Sequence, residues 1–174
     1  MSRSFMMMTI LVGNLLALVH PVKADQGDKA GWTVTTDPRK RAFLYYVPAD
    51  NGSRVLTIGC LRDVDSFTVY SVGLNTGISQ DSKATLRLSN GAAQYAVDGT
   101  VGSDQATGTQ TFDIDIDADA AGRRKIAARL LPVLTGRGPI ALSLGTAELA
   151  LPTSGLAAPL GRFNQVCLGG SRHD

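Results

Sequence analysis

The sequence predicts a mainly β, single-domain protein: a β-sandwich or partly closed barrel with one or two short C-terminal helices and one disulfide. Three observations lead to this fold class. Short segments rich in β-branched and aromatic residues alternate with turn residues along most of the chain. Helical spacing of apolar residues appears only in two late segments. The chain has two cysteines, which allow a single pairing.

The first four expected strands suggest a meander, because short turns rich in polar, proline or glycine residues join them. In the third strand, alternation places Cys60 on the same apolar face as Leu56 and Ile58. Two or three weaker strands follow, and a pair of short strands or a hairpin closes the series. The expected strands cover residues 32–36, 42–47, 54–62, 66–72, 84–88, 94–97, 110–116, 140–144 and 147–151.

Two helices are expected late in the chain. The first covers residues 119–134, where apolar residues recur four positions apart. Asp117 or Asp119 is a candidate N-cap, and Pro132 limits this helix to about three turns. The second covers residues 154–166, and its first residue, a serine, is a candidate cap.

The first 24 residues have the three parts of a secretory signal peptide. Arg3 gives a positive start, residues 6–19 are apolar and uncharged, and small residues up to Ala24 match a cleavage site. We therefore expect a periplasmic or secreted protein, and high Ala, Gly, Asp and Arg content with few Lys indicates a bacterial source. The expected division is 1–24 signal peptide, 25–31 flexible mature N-terminus, 32–168 single β-rich domain and 169–174 flexible tail.

Removal of the signal peptide changes the charge of the chain. The full sequence has 17 basic and 15 acidic residues, and both Arg3 and Lys23 lie in the signal peptide. The mature chain then has a formal charge near zero, so its composition does not support a nucleic-acid or anionic-membrane partner. No later apolar run approaches the length of roughly 18 residues that a transmembrane segment needs.

Cys60 and Cys167 are expected to form a structural disulfide, because an exported chain meets an oxidising compartment. The chain-entropy model assigns roughly 4–5 kcal/mol to a bridge that closes so long a loop. The sequence has no CxxC motif and no histidine near either cysteine. A structural bridge is therefore favoured over a redox pair or a metal site.

The expected domain has no histidine suited to catalysis. His20 lies in the signal peptide, and His173 is next to the last residue. A catalytic triad, an imidazole general base and a histidine zinc site are therefore disfavoured. Pairing of the two cysteines also removes thiolate nucleophiles. The sequence thus predicts a protein that is not an enzyme and that uses no cofactor.

Four aspartates alternate near the end of the expected seventh strand: Asp113, Asp115, Asp117 and Asp119. On a strand, alternate side chains share one face, so the row could bind a hard cation such as calcium, or a basic partner. The segment lacks the glycine and final glutamate of an EF-hand loop. The alternative is a solvated strand face whose last aspartate caps the following helix.

A candidate partner surface combines a basic turn with aromatic strand residues. The turn contains Arg39, Lys40 and Arg41, and the strand that follows contains Tyr45 and Tyr46. Basic runs contact phosphates or acidic proteins, and tyrosine rings stack on sugars. The alternatives are a solvated turn and tyrosines that pack in the core.

The layout of the two ends of the chain resembles a group of bacterial proteins. It combines an early Trp32, a strand VLTIGC that ends at Cys60, and a terminal segment GLAAPLGRFNQVC with Leu156, Leu160 and Cys167. This layout resembles small secreted or periplasmic β proteins of Gram-negative bacteria, including periplasmic accessory proteins associated with type VI secretion. The resemblance implies a similar architecture and a non-enzymatic accessory role, and it assigns no functional site.

These observations predict a non-catalytic exported envelope protein that acts as a binding or accessory module for another envelope protein or glycan. One alternative is a secreted inhibitor of a hydrolase, which would present an exposed loop at residues 48–53 or 75–83. Another is a calcium-binding or carboxylate-dependent protein that uses the aspartate row.

Overall fold

The structure, a computed structural model, describes residues 29–50, 52–105 and 107–169. The expected signal peptide, most of the expected flexible N-terminus and residues 170–174 lie outside this part of the chain. The strands are β1 (Gly31–Thr36), β2 (Arg41–Val47), β3 (Leu56–Leu61), β4 (Ser66–Val72), β5 (Lys83–Asn90), β6 (Ala93–Ser103), β7 (Gln110–Asp117), β8 (Ile140–Leu144) and β9 (Ala147–Leu151). The helices are α1 (Ala120–Leu134) and α2 (Ala157–Cys167).

All these strands join in one antiparallel sheet that curls into a half-barrel, so the predicted fold class is confirmed in its partly closed barrel form. Strands β1 to β4 follow one another as the predicted meander. The full order is β1-β2-β3-β4-β7-β6-β5-β8-β9. The chain therefore crosses from β4 to β5 and returns through β6 to β7, which pairs with β4 and places Tyr70 opposite Asp113.

The core lies between the concave side of the sheet and the two helices. Leu44 and Ile58 are opposite each other on β2 and β3, and both are fully buried on this side. Helix α1 packs against β5 and β6, and α2 packs against β1 and β2. At the sheet edges, the indole N–H of Trp32 donates to the carbonyl oxygen of Pro152 at 2.5 Å. This bond joins the first strand to the segment that follows the last strand.

The predicted disulfide between Cys60 and Cys167 is confirmed, with Cα atoms 5.6 Å apart. Cys60 is fully buried on the apolar face of β3, as the alternation predicts. The bridge ties the last turn of α2 to the third strand. It is compatible with an oxidising compartment.

Strand β6 is longer than predicted. The expected strand covered residues 94–97, and the observed strand covers Ala93–Ser103. Its second half contains Gly99, a residue of low β-propensity. In the sheet, a Cβ at Gly99 would overlap the ring of Phe112 on β7, so the glycine permits close packing between the strands. Strand β1 also begins at Gly31, within the segment expected to be flexible.

Helix α1 fills the predicted segment 119–134 from Ala120 to Leu134. Asp119, one of the two expected N-caps, accepts a hydrogen bond from the backbone N–H of Gly122 at 2.7 Å. The expected limit at Pro132 is wrong, since the helix continues to Leu134. Pro132 is exposed, so water can reach the carbonyl that its missing N–H leaves free, while buried Leu130 and Leu134 hold the last turn in the core.

Helix α2 begins later than predicted. Its N-cap is Leu156, which has no side-chain cap bond, so the expectation that Ser154 caps the helix is wrong. Gly155 has a φ of 77°, and the N–H of Leu156 donates to the carbonyl oxygen of Thr153 at 3.2 Å. These residues form a turn that brings Leu156 into the core before the helix starts.

Candidate functional site

A cleft lies at one end of the half-barrel. In an antiparallel meander the first and third turns are at the same end, so the β1–β2 turn and the β3–β4 turn are neighbours. Together with the first turn of α1 they surround a cleft of about 350 Å³. We call it the basic cleft; its lining residues are Pro38, Arg39, Lys40, Arg62, Asp63 and Arg123.

The β1–β2 turn gives the basic cleft a defined backbone. Asp37 Oδ1 accepts from the backbone N–H groups of Arg39 at 2.9 Å and of Arg41 at 3.2 Å. The N–H of Lys40 donates to the carbonyl oxygen of Asp37 at 3.2 Å. Lys40 has a φ of 63°, in the left-handed region that favours glycine. A lysine here carries backbone strain that a glycine would not.

Two arginines at this end are paired with carboxylates. Arg41 Nη2 lies 2.6 Å from Asp63 Oδ2, and this hydrogen bonding lowers the pKa of the Asp63 carboxyl and raises the pKa of Arg41. Buried Arg123 donates from Nη1 to Asp65 Oδ1 at 2.8 Å and to the carbonyl oxygen of Ala118 at 2.7 Å. These four charges therefore neutralise one another in pairs.

Three cationic side chains at the basic cleft have no carboxylate partner among the described residues: Arg39, Lys40 and Arg62. Arg39 and Lys40 are exposed. Arg62 is half-buried, and its Nη1 donates to the carbonyl oxygen of Val166 at 3.0 Å, which leaves most of its five N–H donors without a partner in the described part of the chain. Arg39 and Lys40, with Arg41 beside them, are the part of the predicted partner surface that the structure brings together.

The two tyrosines of the predicted partner surface lie elsewhere. Tyr45 is 3% exposed on the convex face, and the guanidinium of Arg54 lies 4.0 Å from its ring centroid. Tyr46 is on the concave face, where its ring centroid is 5.2 Å from that of Trp32. Only Tyr46 takes the core-packing alternative, whereas Tyr45 is buried on the opposite face beneath Arg54. Neither ring lies at the basic turn, so the partner-surface hypothesis is carried forward for the basic turn alone.

The aspartate row lies on the convex face. Asp113, Asp115 and Asp117 alternate on β7 and are exposed, whereas Asp119 has left the strand and caps α1. The hydroxyl of Ser66 donates to a carboxylate oxygen of Asp115. Three carboxylates, rather than four, therefore share the face, and the fourth takes the capping role expected for it.

The carboxylates of this face repel one another. Desolvation, followed by the charge of Asp115, raises the pKa of Asp113. Burial and the charges of Asp104 and Asp113 raise the pKa of Tyr70, which lies opposite Asp113 on β4. Within residues 29–50, 52–105 and 107–169, no three aspartate, glutamate, histidine or cysteine side chains form a group that could hold a metal ion.

The β4–β5 connection, which we call the strap loop (residues 73–82), lies at the other end of the half-barrel. Gln110 Oε1 accepts from the backbone N–H of Thr76 at 2.9 Å and from its hydroxyl at 2.7 Å, while Gln110 Nε2 donates to the carbonyl oxygen of Ile78 at 2.7 Å. The N–H and hydroxyl of Thr146 donate to the Thr76 carbonyl oxygen at 3.0 and 3.1 Å.

The two loops suggested for an inhibitor differ in how far the structure describes them. Residues 75–83 fall mostly in the strap loop, whose Thr76 is only 1% exposed and is bonded on two sides. Residues 48–53 include Asn51, which lies outside the described residues. The strap loop is thus fastened at its middle instead of projecting from the molecule.

Arg62 and Arg123 line the basic cleft but had not been expected as site residues. A signal for Arg62 was available, because the meander places the β1–β2 turn and the β3–β4 turn, which contains Arg62, at the same end of the sheet. The position of Arg123 depends on where α1 docks against the sheet. No local pattern in the sequence specifies that docking.

The chain matches no known family model, no curated protein and no solved structure. In the described part of the chain, neither helix is long and apolar enough to cross a membrane. Function is therefore inferred from the charges and geometry of the basic cleft.

Proposed function

We propose that this chain is a non-catalytic, exported binding or accessory module of the bacterial envelope, which holds another envelope protein or glycan at the basic cleft. The observation that carries the proposal is the convergence of Arg39, Lys40 and Arg62, from two separate turns, around one cleft. Each supplies a positive charge and hydrogen-bond donors. Such a cleft favours an anionic group on the partner.

The ionisation of the cleft residues favours binding over proton transfer. The pKa of Asp63 is lowered and that of Arg41 is raised, so neither group exchanges a proton near neutral pH. Side chains with fixed charges can hold a ligand but make poor general acids or bases. The signal peptide, the resemblance to periplasmic accessory proteins and the disulfide support a site of action outside the cytoplasm.

Cross-linked capture from a bacterial envelope extract tests this proposal. The mature chain, residues 25–174, would be compared with the charge-reversal variant Arg39→Glu/Lys40→Glu. The matched control is Lys83→Glu/Arg87→Glu, which makes the same charge change at exposed positions of β5, away from the basic cleft. Mass spectrometry and sugar analysis would identify the captured component.

We expect one component to be recovered with the natural chain and the control, and about tenfold less of it with the cleft variant. Thermal unfolding of all three proteins would establish that each is folded. Equal recovery with the cleft variant would place the contact elsewhere and contradict the proposal. Turnover of a substrate by the mature chain would contradict its non-catalytic part.

A further inference from the structure

We infer that the basic cleft is a binding site for a phosphate group, carried by a glycan or free in solution, and that the strained backbone at Lys40 serves this binding. The inference rests on the proposed function only in taking the envelope as the place where the ligand is met. It follows from the unused donors of the cleft, its surplus charge and the conformation of one residue.

The basic cleft offers the donors that a phosphate group needs. The side chains of Arg39 and Lys40 have no hydrogen-bond or ion-pair partner among the described residues, and Arg62 uses one N–H for the carbonyl oxygen of Val166. A guanidinium can bind two phosphate oxygens at once, and an ammonium adds a compact positive charge. The volume of about 350 Å³ leaves room for part of a larger molecule that carries the phosphate.

The carboxylates near the basic cleft do not cancel its charge. Both oxygens of Asp63 accept from Arg41, and Asp65 is paired with Arg123. The third carboxylate of the two turns, Asp37, has one oxygen bound to two backbone N–H groups of its turn. Among the described residues, the two turns and Arg123 together carry five basic side chains and three acidic ones, so a surplus of positive charge remains there for an anion.

The conformation of Lys40 is an independent observation. The non-glycine residues with positive φ in the described chain are Lys40, Asp65 and Asp81. Aspartate tolerates the left-handed region because its short side chain can bond to nearby backbone, whereas a lysine side chain gives no such compensation. A glycine at position 40 would make the same turn without strain. Strain of this kind is typical of residues whose side chain has a function, and the Lys40 side chain lines the cleft.

An NMR titration of the mature chain at low ionic strength tests the inference with two probes, inorganic phosphate and glucose 1-phosphate. Saturable shifts are expected at the backbone amides of residues 39, 40 and 63. Glucose without phosphate should give none. Tighter binding of glucose 1-phosphate than of phosphate would assign the group to a glycan, and equal affinity would assign it to free phosphate.

Lys40→Gly is the most informative variant, because it removes the ammonium group and the strain together. We expect phosphate affinity to fall about tenfold, the usual scale for one charge-assisted hydrogen bond, while the Tm stays equal or rises. Arg39→Gln should also weaken binding about tenfold. The matched Arg87→Gln, at an exposed position of β5, should change it less than about twofold.

The inference would be overturned by the absence of saturable shifts at the cleft amides, or by equal phosphate affinity of Lys40→Gly and the natural chain. A lower Tm for Lys40→Gly would contradict the strain assigned to Lys40. The titration needs no envelope partner, so phosphate binding without cleft-dependent capture would contradict the proposed function alone. Cleft-dependent capture without phosphate binding would contradict this inference alone.

Discussion

The two ends of the half-barrel are held together by different kinds of interaction. At one end, the strap loop is fastened by neutral groups, the side chains of Gln110 and Thr146 and the backbone of Thr76. At the other end, the turns are held by charged groups such as Arg41 and Asp63, and the disulfide lies close by.

The difference shows which end of the molecule offers charged groups to a ligand. Among the described residues, every buried side-chain nitrogen and oxygen has a hydrogen-bond partner. The neutral groups of the strap loop that hold it in place satisfy one another's hydrogen bonds. At the basic cleft the cations outnumber the carboxylates, so charged donors remain at the surface. The following predictions test whether the two ends are independent.

The largest effect is expected from removal of the disulfide. Replacing Cys60 and Cys167 with alanine should lower the free energy of unfolding by about 2–4 kcal/mol. The bridge anchors the end of α2, where the carbonyl of Val166 accepts from Arg62, so the cleft end should lose more protection than the strap end. Denaturant unfolding gives the free energy, and hydrogen exchange compares the α2 amides with the Thr146 amide.

Alkylation provides the control for this prediction. The natural chain should take up no alkyl group before reduction and two after it. Equal loss of hydrogen-exchange protection at the α2 amides and the strap-loop amides of the double variant would mean that the disulfide stabilises the whole molecule evenly. That result would contradict the proposed difference between the two ends.

A smaller effect is expected from Gln110→Ala at the strap end. This change removes the acceptor for the N–H and hydroxyl of Thr76, and should lower the free energy of unfolding by about 2 kcal/mol. The matched Gln80→Ala, at an exposed position of the same loop, should stay within about 0.5 kcal/mol. Phosphate affinity should be the same in both variants. A loss of affinity in Gln110→Ala alone would show that the two ends are coupled.

The smallest effects should have opposite signs at two aspartates. The pKa of Asp63 is lowered, so its ionised form stabilises the fold at neutral pH. This stabilisation is lost as the pH falls from the unfolded-state pKa of 3.8 through the lower pKa of the folded state. The pKa of Asp113 is raised, so its ionised form lowers the free energy of unfolding at pH values above its pKa in the folded protein. This destabilisation is absent below the unfolded-state pKa of 3.8.

Asp63→Asn should therefore lower the Tm at neutral pH, and Asp113→Asn should raise it. The second change should be below about 0.5 kcal/mol, since solvent screens a largely exposed carboxylate. Thermal unfolding between about pH 2 and pH 8 measures both, and the two differences from the natural chain should shrink in acid. Effects of the same sign would contradict the electrostatic contrast between the two positions.

Most strands could be predicted because alternation and turn chemistry act between neighbours in sequence. The bounds of β8 and β9 match the prediction, whereas β6 was predicted too short because the fit of Gly99 against Phe112 depends on another strand. The order of the sheet beyond β4 could not be predicted. Strand β4 is the neighbour of β7 in the sheet, although β5 and β6 separate the two in the sequence. No local pattern specifies a partner so far along the chain.

The candidate site could be predicted only in part. The basic turn with Arg39 and Lys40 is visible in the sequence, but the cleft also needs Arg62 from another turn and Arg123 from a docked helix. The left-handed backbone conformation of Lys40 could not be predicted either. The usual sequence signals for that conformation are glycine and asparagine, and position 40 has neither.

The hydrogen bond from Trp32 to Pro152 joins residues 120 positions apart. If the chain is exported in sequence order, as we propose, Trp32 and Cys60 cross the membrane well before Pro152 and Cys167. Neither the hydrogen bond nor the disulfide can then form until nearly all of the chain has crossed. Burial of its single tryptophan would then report by fluorescence the moment at which translocation ends and folding is complete.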